Sequence, residues 1–288
     1  MPELTLRGRR LERDRAFVMA IVNRTPDSFY DRGATFGDES AMAAVERAVA
    51  EGADLVDIGG VKAGPGNAVD TTEEIRRVVP FIAAIREAFP ALPISVDTWR
   101  SDVGREACLA GADLINDTWA GADGKLVEVA AEFGAGYVCS HTGGAEVRTR
   151  PFRVSYPHLT ETVIADVTTL ARHAVDVGVP REGVLIDPTH DFGKNTWHSI
   201  ELLRHTRDLV DTGWPVLMAL SNKDFVAETL DVELTERVDG TLAATALAAN
   251  SGATMFRVHE VKRTRHVLEM VATIEGTRPP ARCVRGLA

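Results

Sequence analysis

Polar residues fall at the ends of otherwise apolar runs throughout the chain: Asn23, Asp57, Asp97, Asn116, Asp117 and His141, then Asp187, His190, Ser221, Lys223, Arg257 and His259. Each one taken singly has an ordinary reading, because Asp, Asn and Ser commonly cap a neighbouring loop or helix. Taken together they point elsewhere, since burying many polar groups in one place costs free energy unless a ligand shares them. A polar heterocycle suits such a set, because carboxylates and amides pair with ring N–H and C=O groups. Arg257 and His259 are two apart, so on a strand both side chains face the same way and can clamp an anion.

These residues need a frame that brings them to one place. A phrase recurs in "EGADLVDIGG", "AGADLINDTW", "FGAGYVCSH" and "SGATMFRVH". In each, a helical period runs up to the glycine and a short apolar run follows it, which is the pattern of a left-handed helix cap leading into a buried strand. Extending the pattern predicts strands near 16–23, 53–59, 93–98, 112–117, 135–141, 183–188, 214–220 and 253–259. Amphipathic stretches lie between them, as with Ile75, Val78, Val79, Ile82, Ile85 and Phe89. Buried strands alternating with such helices indicate a parallel sheet, and eight units in this length fit a closed (β/α)8 TIM barrel of the α/β class, as one domain spanning 1–288. The stretch 235–250 predicts an extra helix in the seventh unit. Helix-to-strand links such as "EGAD" are short, whereas strand-to-helix links such as "NRTPDSFYDRGATFGDES" are long. Binding groups are therefore expected on the face where the strands end.

Composition narrows the partners. A net charge of −10 and a pI near 5.3 disfavour a general nucleic-acid or membrane-surface binder. No apolar run approaches the ~20 residues of a membrane span, and "MPELTLRGRR" lacks the core of a signal peptide, so the expected place is the cytoplasm. Cys108, Cys139 and Cys283 lie far apart and show no metal or redox spacing.

The segments "MAIVNRTPDSFYD", "ISVDT", "GADLINDT", "LIDPTHDFGKN", "SNKDF" and "FRVHEV" stand in order at the expected strands. As a set they resemble the signature segments of dihydropteroate synthase over nearly the whole chain. That family is a (β/α)8 barrel that joins p-aminobenzoate to 6-hydroxymethyl-7,8-dihydropterin pyrophosphate with Mg2+ help. The resemblance implies that Asp97, Asn116, Asp187 and Lys223 hold the pterin, that Asn23 helps place Mg2+, and that Arg257 and His259 hold the pyrophosphate. Asp97, Lys223 and Arg257 would then act in catalysis, with Asp97 stabilising positive charge on the pterin methylene. It also implies a homodimer.

Departures from the family pattern cluster around that site. "GGVKAGPG" puts Val61, Lys62, Ala63 and Gly64 where the family has Glu, Ser, Thr and Arg; Lys62 and Arg24 are candidates to restore the lost charge. Ser221-Asn222-Lys223-Asp224 replaces Ser-Arg-Lys-Ser, where the second serine and helix N–H groups receive the benzoate carboxylate. Asp224 is expected to cap that helix itself and to repel a second anion, at a cost of about 4 kcal/mol for charges ~4 Å apart. Thr189 and Asp191 replace two glycines, so a left-handed backbone there would have to change. His141, His190 and Asp191 lack standard zinc spacing. Arg148, Arg150 and Arg153 form a basic cluster, read either as a solvated loop or as an anion-gripping lid. The expectation is a pterin-binding barrel with weak or absent synthase activity. The alternatives are a working synthase and transfer of the pterinylmethyl group to another acceptor.

Overall fold

The computed structural model describes residues 4–12, 14–25, 37–149 and 155–285. Among these, the strands are β1 (Leu4–Leu6), β2 (Arg9–Leu11), β3 (Phe17–Asn23), β4 (Leu55–Gly59), β5 (Ile94–Asp97), β6 (Leu114–Asp117), β7 (Gly136–Ser140), β8 (Val184–Asp187), β9 (Leu217–Met218) and β10 (Met255–Val258). The α-helices are α1 (Asp38–Ala50), α2 (Thr71–Ala88), α3 (Ser101–Ala110), α4 (Leu126–Phe133), α5 (Leu159–Asp176), α6 (Thr196–Arg204), α7 (Thr206–Val210), α8 (Asp224–Leu230), α9 (Val238–Asn250) and α10 (Val261–Ile274).

Each Gly-Ala phrase folds as its residues require. Gly111 ends α3 at φ +117 and Gly134 ends α4 at φ +60, conformations that glycine adopts without a Cβ clash. The aspartate that follows is a fastener. Asp54 accepts from the Val18 N–H at 2.7 Å and pairs with Arg265, which also donates to the Gly52 carbonyl at 2.9 and 2.8 Å. Asp113 repeats the device, accepting from the Ile94 N–H at 3.0 Å and from Arg86 at 2.5 Å, while Arg86 donates to the Gly111 carbonyl at 2.8 Å. One motif thus ties helix end, helix side chain and neighbouring strand.

The eight parallel strands run in the order β8-β7-β6-β5-β4-β3-β10-β9. A parallel bridge from Ile186 to Val216, with the Ile186 N–H on the Pro215 carbonyl at 2.9 Å, joins the two edges. The fold is a single (β/α)8 barrel, as expected from the eight predicted strands. Outward strand residues such as Val18, Val56 and Ile58 pack against the helices, where α2 contributes Val78, Ile82 and Ile85. Helix α2 starts on Asp70, whose carboxylate accepts from the Glu73 N–H. The expected extra helix at 235–250 is α9, preceded by a 3-10 turn at Leu234–Glu236.

Barrel interior changes character along the strands. Met19, Leu55, Leu114, Leu185, Leu217 and Met255 fill it at one level, together with Leu4 and Leu6 of the β1–β2 hairpin. The hairpin, which the periodicity of the sequence does not predict, closes the barrel bottom. Its close approach needs a glycine: a Cβ on Gly136 would lie 2.6 Å from Leu6 Cδ2 and 2.8 Å from the Gly183 carbonyl. Two residues further along, the inward positions are Asp57, Asn116, Asp187 and Arg257, because strand side chains alternate with period two. The apolar floor therefore gives way to a polar mouth.

Candidate functional site

A cavity of about 380 Å3 opens at this mouth, lined among others by Asn23, Asp97, Asn116, Asp187, Lys223 and Arg257. Ser221, Asp224 and His259 line it as well. Strand ends and the loops after them thus bring the residues matched to the family site to one place, whereas Asp117, His141 and His190 of the polar set do not line the cavity; the Asp117 carboxylate instead accepts from Tyr137 OH and the Trp119 and Gly121 N–H groups. That volume suits a bicyclic heterocycle.

Arg257 organises the floor. From β10 it reaches past β3 and donates through Nε to Asp57 at 2.5 Å and through Nη2 to Asp97 at 2.7 Å. Asp57 is fully buried and also accepts from the Asn116 amide at 3.2 Å, while its second oxygen has no partner. Asp97 takes a further bond from the Thr118 hydroxyl. Burial opposes the charge on Arg257, but Asp57 and Asp97 outweigh it and hold the guanidinium protonated. Burial pushes Asp97 up to about 6 against the pull of Arg257, and pushes Asp187 up to about 6 against its bond from the Thr189 N–H. Both are mainly carboxylates at neutral pH, ready to accept from ring N–H groups.

The loops after β8 and β9 form the opposite wall. Lys223 donates to the His190 carbonyl at 2.9 Å and lies 4.4 Å from the Phe192 ring centroid; burial lowers its pKa, opposed by Asp191 and Asp187. Lys194 donates to three backbone carbonyls, of His141, Thr189 and Phe192, at 2.7 to 3.2 Å. Burial lowers it to about 7. Neither Lys194 nor the Trp119–Phe192 edge-to-face pair at 5.2 Å is anticipated in the sequence reading. The lysine two places after Phe192 was a signal available for the first; nothing local marks the second. Ser221 Oγ lies 2.9 Å from His259 Nδ1 and accepts from the His259 N–H at 3.2 Å.

Four expectations need correction. Asp224 does not cap α8: it is the first helical residue, the cap position is Lys223, and no side-chain cap bond forms there. Its half-exposed carboxylate instead accepts from Arg237 at 2.9 Å. The carboxylate at that corner belongs to Asp191, which accepts the Asp224 N–H at 2.6 Å and is steadied by Ser199 at 3.1 Å. Thr189 and Asp191 also keep a left-handed backbone, at φ +52 and +68. Thr189 is held there by its N–H on the Asp187 carboxylate, its hydroxyl on the Asp187 carbonyl, and the His141 N–H on that hydroxyl. Arg24 does not restore charge to the mouth; it turns outward to Asp38 and over Phe81. Arg148 is not purely solvated, since it donates to the Gly64 and Asn67 carbonyls at 3.3 and 2.9 Å and so joins two mouth loops. Arg150 and Arg153 lie outside the described residues.

Among the described residues no three acidic, histidine or cysteine side chains gather as a metal cage. Mg2+ would depend on the Asn23 amide, water and ligand phosphates, a usual mode for that ion. His141 and His190 are instead buried and neutral, with burial lowering each to about 3.

A family profile described as "Pterin binding enzyme" matches residues 19–259, the span from β3 to the mouth residue His259. The chain belongs to the pterin binding enzyme family. Within that family it is similar to "Inactive dihydropteroate synthase 2" of Mycobacterium leprae, at 68% identity over 98% of both chains. Among solved structures, Mycobacterium tuberculosis Rv1207 matches at 55% identity and TM-score 0.76, covering 96% of this chain and 99% of that one. The Yersinia pestis dihydropteroate synthase solved with a sulfonamide drug superposes with TM-score 0.90 at 34% identity, covering 96% and 100%. This chain is a divergent paralogue in the dihydropteroate synthase family. No described helix is long and apolar enough to cross a membrane.

Proposed function

We propose that this protein binds a pterin in the barrel mouth and does not join it to p-aminobenzoate. Asp97, Asn116 and Asp187 supply the acceptors and donors that a pterin ring requires, and Trp119 and Phe192 supply an apolar wall. The observation that carries the second half is the Asp191 carboxylate on the residue-224 N–H at 2.6 Å. By the family resemblance, that corner is where the carboxylate of p-aminobenzoate would arrive. Here a donor is already taken, and the Asp191 carboxylate presents negative charge at the spot, while that of Asp224 is paired with Arg237. Like charges ~4 Å apart at an effective dielectric near 20 repel by about 4 kcal/mol, roughly three decades of affinity. The name carried by the M. leprae relative agrees with this reading.

Steady-state release of pyrophosphate with p-aminobenzoate, measured beside the Yersinia pestis enzyme, tests it. The expected turnover is below about a hundredth of that enzyme's, and comparable turnover would sink the reading. A homodimer is part of the same proposal. Leu247 of α9 and Met270 and Ile274 of α10 are exposed large apolar residues on two helices that pack together. Lys262 and Arg263 flank one end of α10 and Glu275 the other, so two copies pairing antiparallel would match opposite charges. Light scattering should give twice the chain mass, and Met270→Glu should halve it.

A further inference from the structure

The loop that follows β4 is fastened on both sides of Lys62. Before it, the Gly60 carbonyl accepts from Arg77 of α2 at 3.0 Å, and a Cβ on Gly60 would lie 2.7 Å from Val78 Cγ1, so the backbone there lies flat against that helix. Val61 is buried. After it, the Gly64 and Asn67 carbonyls accept from Arg148 at 3.3 and 2.9 Å. Lys62 stands between these anchors, half-buried, and lines the mouth cavity. Its side chain therefore leaves from a fixed base, which lowers the ordering cost of a contact made by the ammonium.

Three other lysine or arginine side chains line the cavity among the described residues, and each is engaged. Arg257 is spanned by Asp57 and Asp97, Lys194 is held by three carbonyls, and Lys223 sits between a carbonyl and the Phe192 ring. Lys62 alone of the four has no hydrogen bond, ion pair or ring contact among the described residues. Its ammonium carries three donors on a flexible stem. An anion that reaches it displaces only water. The floor decides where that anion would come from. Below Asp97, Asn116 and Asp187 lies the apolar layer of Met19, Leu55 and Leu114, so a pterin seated on the polar groups can extend a charged substituent only toward the loops.

We propose that Lys62 is a specificity-determining residue that takes the diphosphate of a pterin diphosphate ester. The serine of the family pattern at this place carries no charge, so the contact is particular to this chain and adds to whatever Arg257 and His259 supply. The inference rests on the pterin-binding reading and extends it to the group that the ring carries.

Titration of the full chain and of Lys62→Met with 6-hydroxymethylpterin and with its diphosphate ester, in the presence of Mg2+ and read by pterin fluorescence, tests it. Affinity for the diphosphate is expected to fall at least fivefold in the variant, about 1 kcal/mol, with the affinity for the alcohol and the urea midpoint unchanged. A smaller fall, an equal loss for both compounds, or binding of the alcohol alone by the parent overturns the role of Lys62 and leaves the pterin reading standing. Absence of binding of both compounds by the parent overturns the pterin reading and the role of Lys62 with it.

Discussion

Thr189 and Asp191 show how a loop can keep a glycine's backbone while losing the glycine. A β-branched residue at φ +52 is strained by about 1–3 kcal/mol, and hydrogen bonds around the Thr189 hydroxyl hold it in place. Thr189→Val keeps the strain and removes those bonds, leaving the buried His141 N–H without its partner. It should lower unfolding free energy by about 1–3 kcal/mol in a urea titration; an unchanged midpoint would show that the hydroxyl bonds are not what holds the turn. His190 gives a second test through pH. Its pKa is about 3 in the fold, so the unfolded chain binds the proton first as pH falls below ~6.5. Its contribution to stability is therefore full above ~6.5 and is lost progressively down to about 3. Asp97 and Asp187 oppose this between ~4 and about 6, because their raised values let the fold hold protons more tightly. His190→Leu leaves those two groups in place. The variant should consequently lose less stability than the parent between pH 7 and pH 5, by chemical denaturation at both values, and an equal loss would contradict the assignment.

Strands and helices were largely legible because their signals are local. The Gly-Ala phrase marks helix ends, and the switch from Leu55 to Asp57, or Leu185 to Asp187, marks where a strand leaves the apolar floor. Contacts between distant segments were not legible. Arg257 meets partners 200 and 160 residues away, and Asp191 meets residue 224 across 33 positions, so no spacing rule joins them. Asp224 looked like a cap because it stands at a helix start; the position one residue earlier is the cap, and Arg237, reaching in from the turn before α9, takes its carboxylate. The β1–β2 hairpin was missed because three-residue strands carry almost no periodicity. Its contribution is nonetheless large in the packing. Leu6 is fully buried beneath the barrel, and Leu6→Ala should cost about 2–5 kcal/mol of stability through lost burial and a residual cavity. A loss under ~1 kcal/mol by calorimetry or denaturant would show that the hairpin is only an accessory flap.

At the scale of the whole molecule, the barrel keeps the architecture of its family and changes the charge at its opening. Among the described residues Arg257 is held by two carboxylates and Lys194 by three carbonyls, and the corner where a benzoate would enter is edged by Asp191 and Asp224. Scaffold and chemistry separate here, as they do in other barrels whose loops vary on a fixed frame. The loops after β4, β8 and β9 carry that change, and Arg148 ties the first of them to the loop after β7. Closure of the benzoate corner by Asp191 is tested most directly by the affinity of p-aminobenzoate for the parent and for Asp191→Gly, with the pterin site saturated. Glycine fits φ +68 without strain, so the variant should fold. We predict no binding by the parent at millimolar ligand and an affinity at least tenfold higher in the variant; equal affinity in the two proteins would contradict the account.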